Sequence, residues 1–162
     1  MKLVDANLLL YAVDETSSHH APAKTWLEQQ LSGSETFAFA WAVLLTFVRL
    51  ATNPRVFAAP LTAEEALDLV DSWLEQPGAT VVHPTDRHSR LLRELLAPLG
   101  TAGNLASDAH LAALSIEHGA ELCSGDSDFA RFPRVRWINP LAERKGGAQA
   151  GSDAHDRESP GQ

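Results

Sequence analysis

The chain has 162 residues, of which 44% are hydrophobic and 21% are charged, a composition that suits one globular domain with a substantial core. The formal net charge of −8 excludes a general coat for nucleic acid, because such proteins are basic. It leaves open an enzyme that cuts nucleic acid, since a cluster of acids at a metal site adds to the negative count.

Short apolar strands and helices alternate along the first half of the chain. Strands are predicted at residues 2–4 and 36–40, and helices at residues 8–13, 20–31 and 41–51. The helix at 41–51 is apolar nearly all round, which predicts that it is largely buried.

The second half continues the alternation. Thr62 and Glu65 form a capping box that predicts a helix running to about Leu74, and Thr85 is predicted to cap the next helix. The remaining predicted elements are strands at 80–82, 121–124 and 135–138, a helix at 107–118 and a helical turn at 126–132.

This alternation predicts an α/β fold: a single domain with a mainly parallel central sheet and helices on both faces. We expect the domain to span residues 1–142. Residues 143–162 are predicted to form a disordered C-terminal tail, because from Gly146 onward the chain contains no Val, Ile, Leu, Met, Phe, Trp or Tyr.

Several features indicate the cellular compartment. Cys123 is the only cysteine, so no intramolecular disulfide can form, which fits a reducing compartment. Asp5 and Asp14 interrupt the first apolar stretch, so no signal peptide is predicted, and no apolar run is long enough to span a membrane. We therefore expect a cytoplasmic protein that is not bound to a membrane.

Four aspartates are predicted to meet at one edge of the sheet. Asp5 follows the first strand, Asp126 and Asp128 follow the fourth, and Asp108 lies in the first turn of its helix. In open parallel sheets ligands bind outside the carboxyl ends of the strands. Clustered carboxylates repel one another, and an oxygen-rich site without cysteine or paired histidine suits Mg²⁺ or Mn²⁺.

Three of these aspartates also have an ordinary structural explanation. Asp5 can be a turn residue or a helix cap, the helix dipole favours Asp108 in a first turn, and Asp126 can cap the turn that follows it. The functional hypothesis depends on their joint placement.

The segments that carry these residues resemble the motifs of PIN domains. They are residues 3–9 (LVDANLL), 108–114 (DAHLAAL) and 124–129 (SGDSDF), and residues 52–57 (TNPRVF) and 137–140 (WINP) resemble the VapC-type ribonuclease toxins of toxin–antitoxin pairs. The resemblance covers residues 1 to about 142.

The resemblance implies a metal-dependent endoribonuclease, the toxin of a type II pair, that hydrolyses RNA phosphodiesters. It implies Mg²⁺, or Mn²⁺, held by Asp5 and Asp108, with Asp126 and Asp128 completing the catalytic acids. Asn7 and Ser124 match supporting positions. It also implies a homodimer and a cognate VapB-type antitoxin that blocks the site.

One position departs from the family pattern. Thr46 stands where the family has a glutamate in the helix after the second strand. Because threonine carries no charge, we hypothesise a site for one metal, with Asp128 as the substitute ligand.

Other residues have two interpretations each. Arg49 is a candidate for phosphate contact, or for pairing with an acid of the site, because a charge beside a buried helix needs a partner. The run Arg87, Arg90 and Arg93 fits a solvated helix face better than phosphate binding. Trp26, Trp41 and Trp73 form either a partner groove or, for at least two of them, part of the core. Histidines that could assist proton transfer are His19, His20 and His110.

Two other functions compete with the ribonuclease. A catalytically weak RNA- or protein-interaction module of the same fold is compatible with Thr46 and the negative charge. A phosphoryl-transfer enzyme with Asp5 as nucleophile is disfavoured, because no lysine lies between Lys24 and Lys145 to assist it.

Overall fold

The computed structural model describes residues 1–142. The tail predicted at 143–162 lies outside the described residues. Five strands form one sheet in the order β3-β2-β1-β4-β5, and every pairing is parallel. The strands are β1 (Lys2–Val4), β2 (Phe37–Phe39), β3 (Ala79–Val81), β4 (Glu121–Cys123) and β5 (Trp137–Ile138).

Six α-helices flank the sheet and confirm the predicted α/β class. They are α1 (Ala6–Val13), α2 (His20–Leu31), α3 (Trp41–Ala51), α4 (Ala63–Leu74), α5 (His88–Leu96) and α6 (Leu105–Glu117). Two short 3₁₀ helices span Ala97–Leu99 and Ser127–Arg131. None of the helices within residues 1–142 is long and apolar enough to cross a membrane.

Both faces of the sheet are covered. Successive strand residues point to opposite faces, yet Leu3 and Val4 are both 0% exposed and the three residues of β2 are at most 1% exposed. The core continues into an aromatic cluster in which Trp73 stacks on Phe39 at 6.3 Å and meets Phe47 edge-on at 4.9 Å. Trp73 and the partly buried Trp26 pack in the core, as predicted for two of the three tryptophans.

The prediction that α3 is largely buried is wrong for one of its faces. Trp41 is 48% exposed and Leu45 is 61% exposed, whereas Val43, Leu44 and Phe47 are buried. Trp41 and Leu45 lie four residues apart, on the same side of the helix, so that side remains uncovered in the single chain.

The helix starts follow the local chemistry only in part. Thr62 and Glu65 form the predicted capping box of α4. Thr85 does not cap α5 directly: the helix begins at His88, its N-cap is Arg87, and the Thr85 hydroxyl accepts a hydrogen bond from the Arg87 N–H at 3.2 Å in the preceding turn.

The central strand β1 positions the site. The chain leaves β1 toward β2 and β3 on one side and returns to add β4 and β5 on the other. The carboxyl ends of β1 and β4 therefore flank the point where the strand order reverses, which is where open α/β sheets bind ligands.

Candidate active site

Asp5 follows β1 and is held by three hydrogen bonds. Its Oδ1 accepts from the Ala6 N–H at 2.7 Å, which caps α1. Its Oδ2 accepts from Asn7 Nδ2 at 2.9 Å and from the Ser124 hydroxyl at 2.7 Å. Asp5 is thus a helix cap, as its ordinary explanation required, and its carboxylate is also fixed from β4.

Asn7 and Ser124 join the ends of β1 and β4. Asn7 Nδ2 donates to Ser124 Oγ at 3.0 Å, and Asn7 Oδ1 accepts from the Gly125 N–H at 3.2 Å. Ser124 is fully buried and also accepts from the Asp126 N–H at 2.9 Å. Both residues therefore orient the Asp5 carboxylate, the geometry that a supporting role requires.

Asp5 and Asp108 line one cleft of about 410 Å³. Asp108 reaches it from the first turn of α6. The cleft is also lined by Thr46 and Arg49 from α3 and by His110 from α6. Thr46 thus shares the cleft with the two acids, and its hydroxyl donates to the Ala42 carbonyl at 2.8 Å within its own helix.

Burial and neighbouring carboxylates raise the pKa of both Asp5 and Asp108. Burial, with the charges of Asp5, Asp126 and Asp128, raises the pKa of Asp108 to about 6. Burial also raises the pKa of Asp5, against hydrogen bonds from Ser124 and Ala6, and the charge of Asp126 adds to the effect. Negative charge at this place is therefore unfavourable without a cation.

Asp126 and Asp128 lie near the cleft but are engaged elsewhere. Asp126 Oδ1 accepts from the Asp128 N–H at 2.8 Å and so caps the 3₁₀ helix at Ser127–Arg131. Asp128 Oδ1 accepts from Arg131 Nε at 3.1 Å. Neither is part of the cleft lining, so their observed contribution is charge.

The donor set fits a weakly held, hydrated cation. Within residues 1–142 no three His, Cys, Asp or Glu side chains are grouped closely enough to hold a metal ion. Asp5 and Asp108 would supply oxygen ligands from one cleft, and Mg²⁺ commonly binds proteins through one or two carboxylates while keeping several waters. The two residues predicted as metal ligands are thus the two that the fold brings together.

Arg49 differs from its predicted setting. It lies on the exposed side of α3, lines the cleft and, among the described residues, makes no salt bridge. The premise that burial obliges Arg49 to pair with an acid is therefore wrong. Arg90 and Arg93 on α5 and its N-cap Arg87 are exposed, as expected for a solvated face.

A partly buried pair of histidines, His88 and His110, meets at the cleft, and the sequence did not predict this pairing. His88 Nε2 and His110 Nδ1 are 2.8 Å apart, and His88 Nδ1 lies 2.8 Å from Glu117 Oε2. Burial and the neighbouring His88 lower the pKa of His110, against the charge of Glu117. The only available signal was the seven-residue spacing of His110 and Glu117, which places both on one helix face.

The family model and the relatives that match this chain agree with one another. The PIN domain family model matches residues 2–135. The chain is 53% identical to Ribonuclease VapC37 of Mycobacterium tuberculosis over 142 residues, which cover 88% of this chain and 99% of that protein. It is 41% identical to Ribonuclease VapC33 of the same organism, over 88% of this chain and 100% of that protein.

Solved structures share the fold at low sequence identity. VapBC2 from Rickettsia felis, bound to a DNA fragment from its promoter, matches 85% of this chain and 97% of its own with a TM-score of 0.62 at 19% identity. DNA-bound VapBC from Salmonella typhimurium matches 86% of this chain and 98% of its own chain, with a TM-score of 0.62 at 16% identity. The family model and the identity to VapC proteins together show that this chain belongs to the PIN domain family and is a VapC-type member of it.

Proposed function

We propose that the chain is a metal-dependent endoribonuclease that acts as the toxin of a type II toxin–antitoxin pair. The observation that carries the proposal is the cleft that Asp5 and Asp108 share, where burial and the charge of Asp5 raise the pKa of Asp108. The relatives named ribonucleases, to which the chain is 53% and 41% identical, support RNA as the substrate. We assign the catalytic unit to residues 1–142 and place the enzyme in the cytoplasm.

Asp5 and Asp108 would hold Mg²⁺ or Mn²⁺. When bound, such an ion lowers the pKa of a water and neutralises charge on a phosphodiester. Asn7 and Ser124 keep the Asp5 carboxylate aimed at the cleft through their hydrogen bonds to Oδ2. Asp126 and Asp128 contribute negative charge that favours cation binding. Because Asp128 accepts a hydrogen bond from Arg131, it is less suited to bind the ion directly.

Arg49 provides the positive charge that a polyanionic substrate needs at this cleft. Its guanidinium is exposed, and without a salt bridge among the described residues it is available for a phosphate. Since the whole chain carries a net charge of −8, attraction of RNA has to be local.

Two partners accompany the proposal. Solved structures of this fold include VapBC proteins and a toxin–antitoxin complex from Klebsiella pneumoniae, which supports a cognate VapB-type antitoxin for this chain. The uncovered face of α3 at Trp41 and Leu45 supports a protein contact, either in a homodimer or with that antitoxin.

The decisive experiment is cleavage of single-stranded RNA by the purified full chain. We expect cleavage with Mg²⁺ or Mn²⁺, loss of cleavage with excess EDTA, and recovery when metal is restored, because two carboxylates cannot stabilise an anionic transition state alone. A mock purification from cells without the gene controls for contaminating nucleases. RNA binding without metal-dependent cutting would instead favour the weak interaction module, which the uncharged Thr46 makes the second candidate.

Thr46→Glu is expected to change metal stoichiometry. The new carboxylate would enter the cleft of Asp5 and Asp108, so the number of Mn²⁺ ions bound should rise from one to two. Calorimetric titration with Mn²⁺ measures this number. Thr25→Glu, at an exposed position of α2, is the matched control and should still bind one ion. An unchanged titration of Thr46→Glu would show that Thr46 does not occupy the position of the family acid.

A further inference from the structure

A hydrogen-bonded chain of three side chains runs from the end of α6 to the cleft. Glu117 Oε2 is 2.8 Å from His88 Nδ1, and His88 Nε2 is 2.8 Å from His110 Nδ1. The side chain of Glu117 is covered and that of His88 is 12% exposed. His110 lines the cleft with Asp5 and Asp108. No step of the proposed hydrolysis uses this chain.

The outer end of the hydrogen-bonded chain, Glu117, is held by Thr85 and has a lowered pKa that favours its ionised form. Glu117 Oε1 accepts from the Thr85 hydroxyl at 2.6 Å and from the Thr85 N–H at 3.2 Å. Burial raises the pKa of Glu117, but the hydrogen bonds from Thr85 and His88 outweigh it and hold the pKa below its usual value. An ionised carboxylate only accepts hydrogen bonds, so His88 Nδ1 carries the hydrogen between the two groups.

The donor and acceptor roles of the His88 nitrogens determine those of His110. A neutral imidazole with a hydrogen on Nδ1 has a lone pair on Nε2. When His88 is neutral, its Nε2 therefore accepts the hydrogen bond and His110 Nδ1 donates it. In neutral His110 the hydrogen is then on Nδ1, and Nε2 keeps a lone pair. Because Nδ1 is occupied by His88, Nε2 is the nitrogen that His110 has left for a ligand in the cleft.

We propose that Glu117 and His88 are positioning residues that hold His110 as a hydrogen-bond acceptor in the cleft, where its Nε2 accepts from a ribose 2′-hydroxyl of the substrate. This assignment rests on the proposed function. A lone pair repels phosphate oxygens and needs a donor. Near a scissile phosphate the 2′-hydroxyl is the donor that the sugar–phosphate backbone offers, and it distinguishes RNA from DNA.

The tautomers can be measured without any activity. Long-range ¹H–¹⁵N correlation spectra of the full chain at pH 8 should show both rings with hydrogen on Nδ1, with signals assigned through His88→Gln and His110→Gln. In Glu117→Gln the amide oxygen keeps the Thr85 bonds, while the amide nitrogen donates to His88 Nδ1. Both rings should then carry hydrogen on Nε2. Glu94→Gln, on the exposed face of α5, is the matched control and should leave the spectra unchanged.

Wild-type His110 with hydrogen on Nε2, or His88 with hydrogen on both nitrogens, would overturn the proposal. The wild-type spectra alone decide this point, so it does not depend on whether Glu117→Gln folds.

A cleavage cycle tests the 2′-hydroxyl contact. The probe is a short single-stranded RNA whose cleavage position has been mapped, with either ribose or 2′-deoxyribose on the 5′ side of the scissile bond. For wild type we expect kcat/KM to fall about tenfold on the deoxy substrate, the worth of one hydrogen bond. For His110→Ala we expect kcat/KM on the ribose substrate to be about tenfold below that of wild type, and kcat/KM on the deoxy substrate to be no lower still. His83→Ala, an exposed control, should behave like wild type.

If kcat/KM of His110→Ala falls a further tenfold on the deoxy substrate, the two effects are independent, and the proposed contact between His110 and the 2′-hydroxyl is wrong. If wild type cleaves no RNA at all, the proposed function fails and the 2′-hydroxyl contact fails with it. The spectra still decide the hydrogen-bonded chain in that case, so the two failures are distinguishable.

Discussion

Replacing Asp5 with alanine is expected to lower RNA cleavage by more than about a hundredfold. Asp5 lines the cleft, and its carboxylate receives hydrogen bonds from both Asn7 and Ser124, so no neighbouring acid can take its place. Loss of a metal ligand costs more than loss of a residue that merely supports one, which typically costs 10- to 100-fold. The variant should also lose about 1 kcal/mol of stability, because the cap of α1 is removed.

The measurement is kcat/KM on a single-stranded RNA at saturating Mg²⁺, with the Tm of the same preparation. Asp14→Ala is the matched control: Asp14 is the C-cap of the same helix and is not part of the cleft lining. It should keep wild-type cleavage. Full activity in Asp5→Ala would remove Asp5 from the catalytic site.

Asp108→Asn is expected to abolish cleavage and to make the metal-free protein more stable. Burial and the charges of Asp5, Asp126 and Asp128 raise the pKa of Asp108 to about 6, so its ionised form is unfavourable in the fold. A neutral amide of the same shape removes that penalty. Because Asp108 is partly exposed, solvent screening reduces the expected gain to about 1 kcal/mol. That gain corresponds to about 2–4 °C in Tm.

The pH dependence gives a second readout of Asp108→Asn. Asp108 ionises at about pH 6 in the folded state against the ordinary value of 3.8, so its penalty grows as the pH rises between these values. In EDTA the Tm of the variant should exceed that of wild type above about pH 6, and the difference should vanish below about pH 4.

Added Mg²⁺ should narrow the gap between Asp108→Asn and wild type, because the cation stabilises wild type more. Asp68→Asn, on the exposed face of α4, should show neither effect. A variant that is less stable than wild type at pH 8 would contradict the picture of repelling carboxylates.

The fold could be predicted because its signals are local. Short apolar runs bounded by helices gave the five strands to within two residues, and all four pairings are parallel. The helix at His20–Leu31 and the capping box at Thr62 follow from spacing and side-chain chemistry. The exposed side of α3 could not be predicted, since the apolar Trp41 and Leu45 give the same sequence signal whether the core or another molecule covers them.

The position of a site residue can be predicted from the sequence when that residue directly follows a strand. Asp5 and Ser124 follow adjacent parallel strands, so their meeting follows from sheet topology. Asp128 illustrates the limit. Its side chain is drawn to Arg131, a partner three residues away that only the geometry of the turn reveals. Similarly, His88 meets His110 because α5 packs on α6, and no spacing in the chain specifies that packing.

The position of β1 in the sheet has a consequence for synthesis. Of the five strands of the sheet, the central strand β1 is synthesised first, and it pairs with β4, whose residues are made more than a hundred positions later. The hydrogen bond between Asp5 and Ser124 spans 119 residues. The cleft therefore cannot assemble on a nascent chain until nearly the whole domain has emerged. If the chain is a ribonuclease, it stays inactive during this delay, so the messenger RNA and the ribosome that produce it are protected from cleavage.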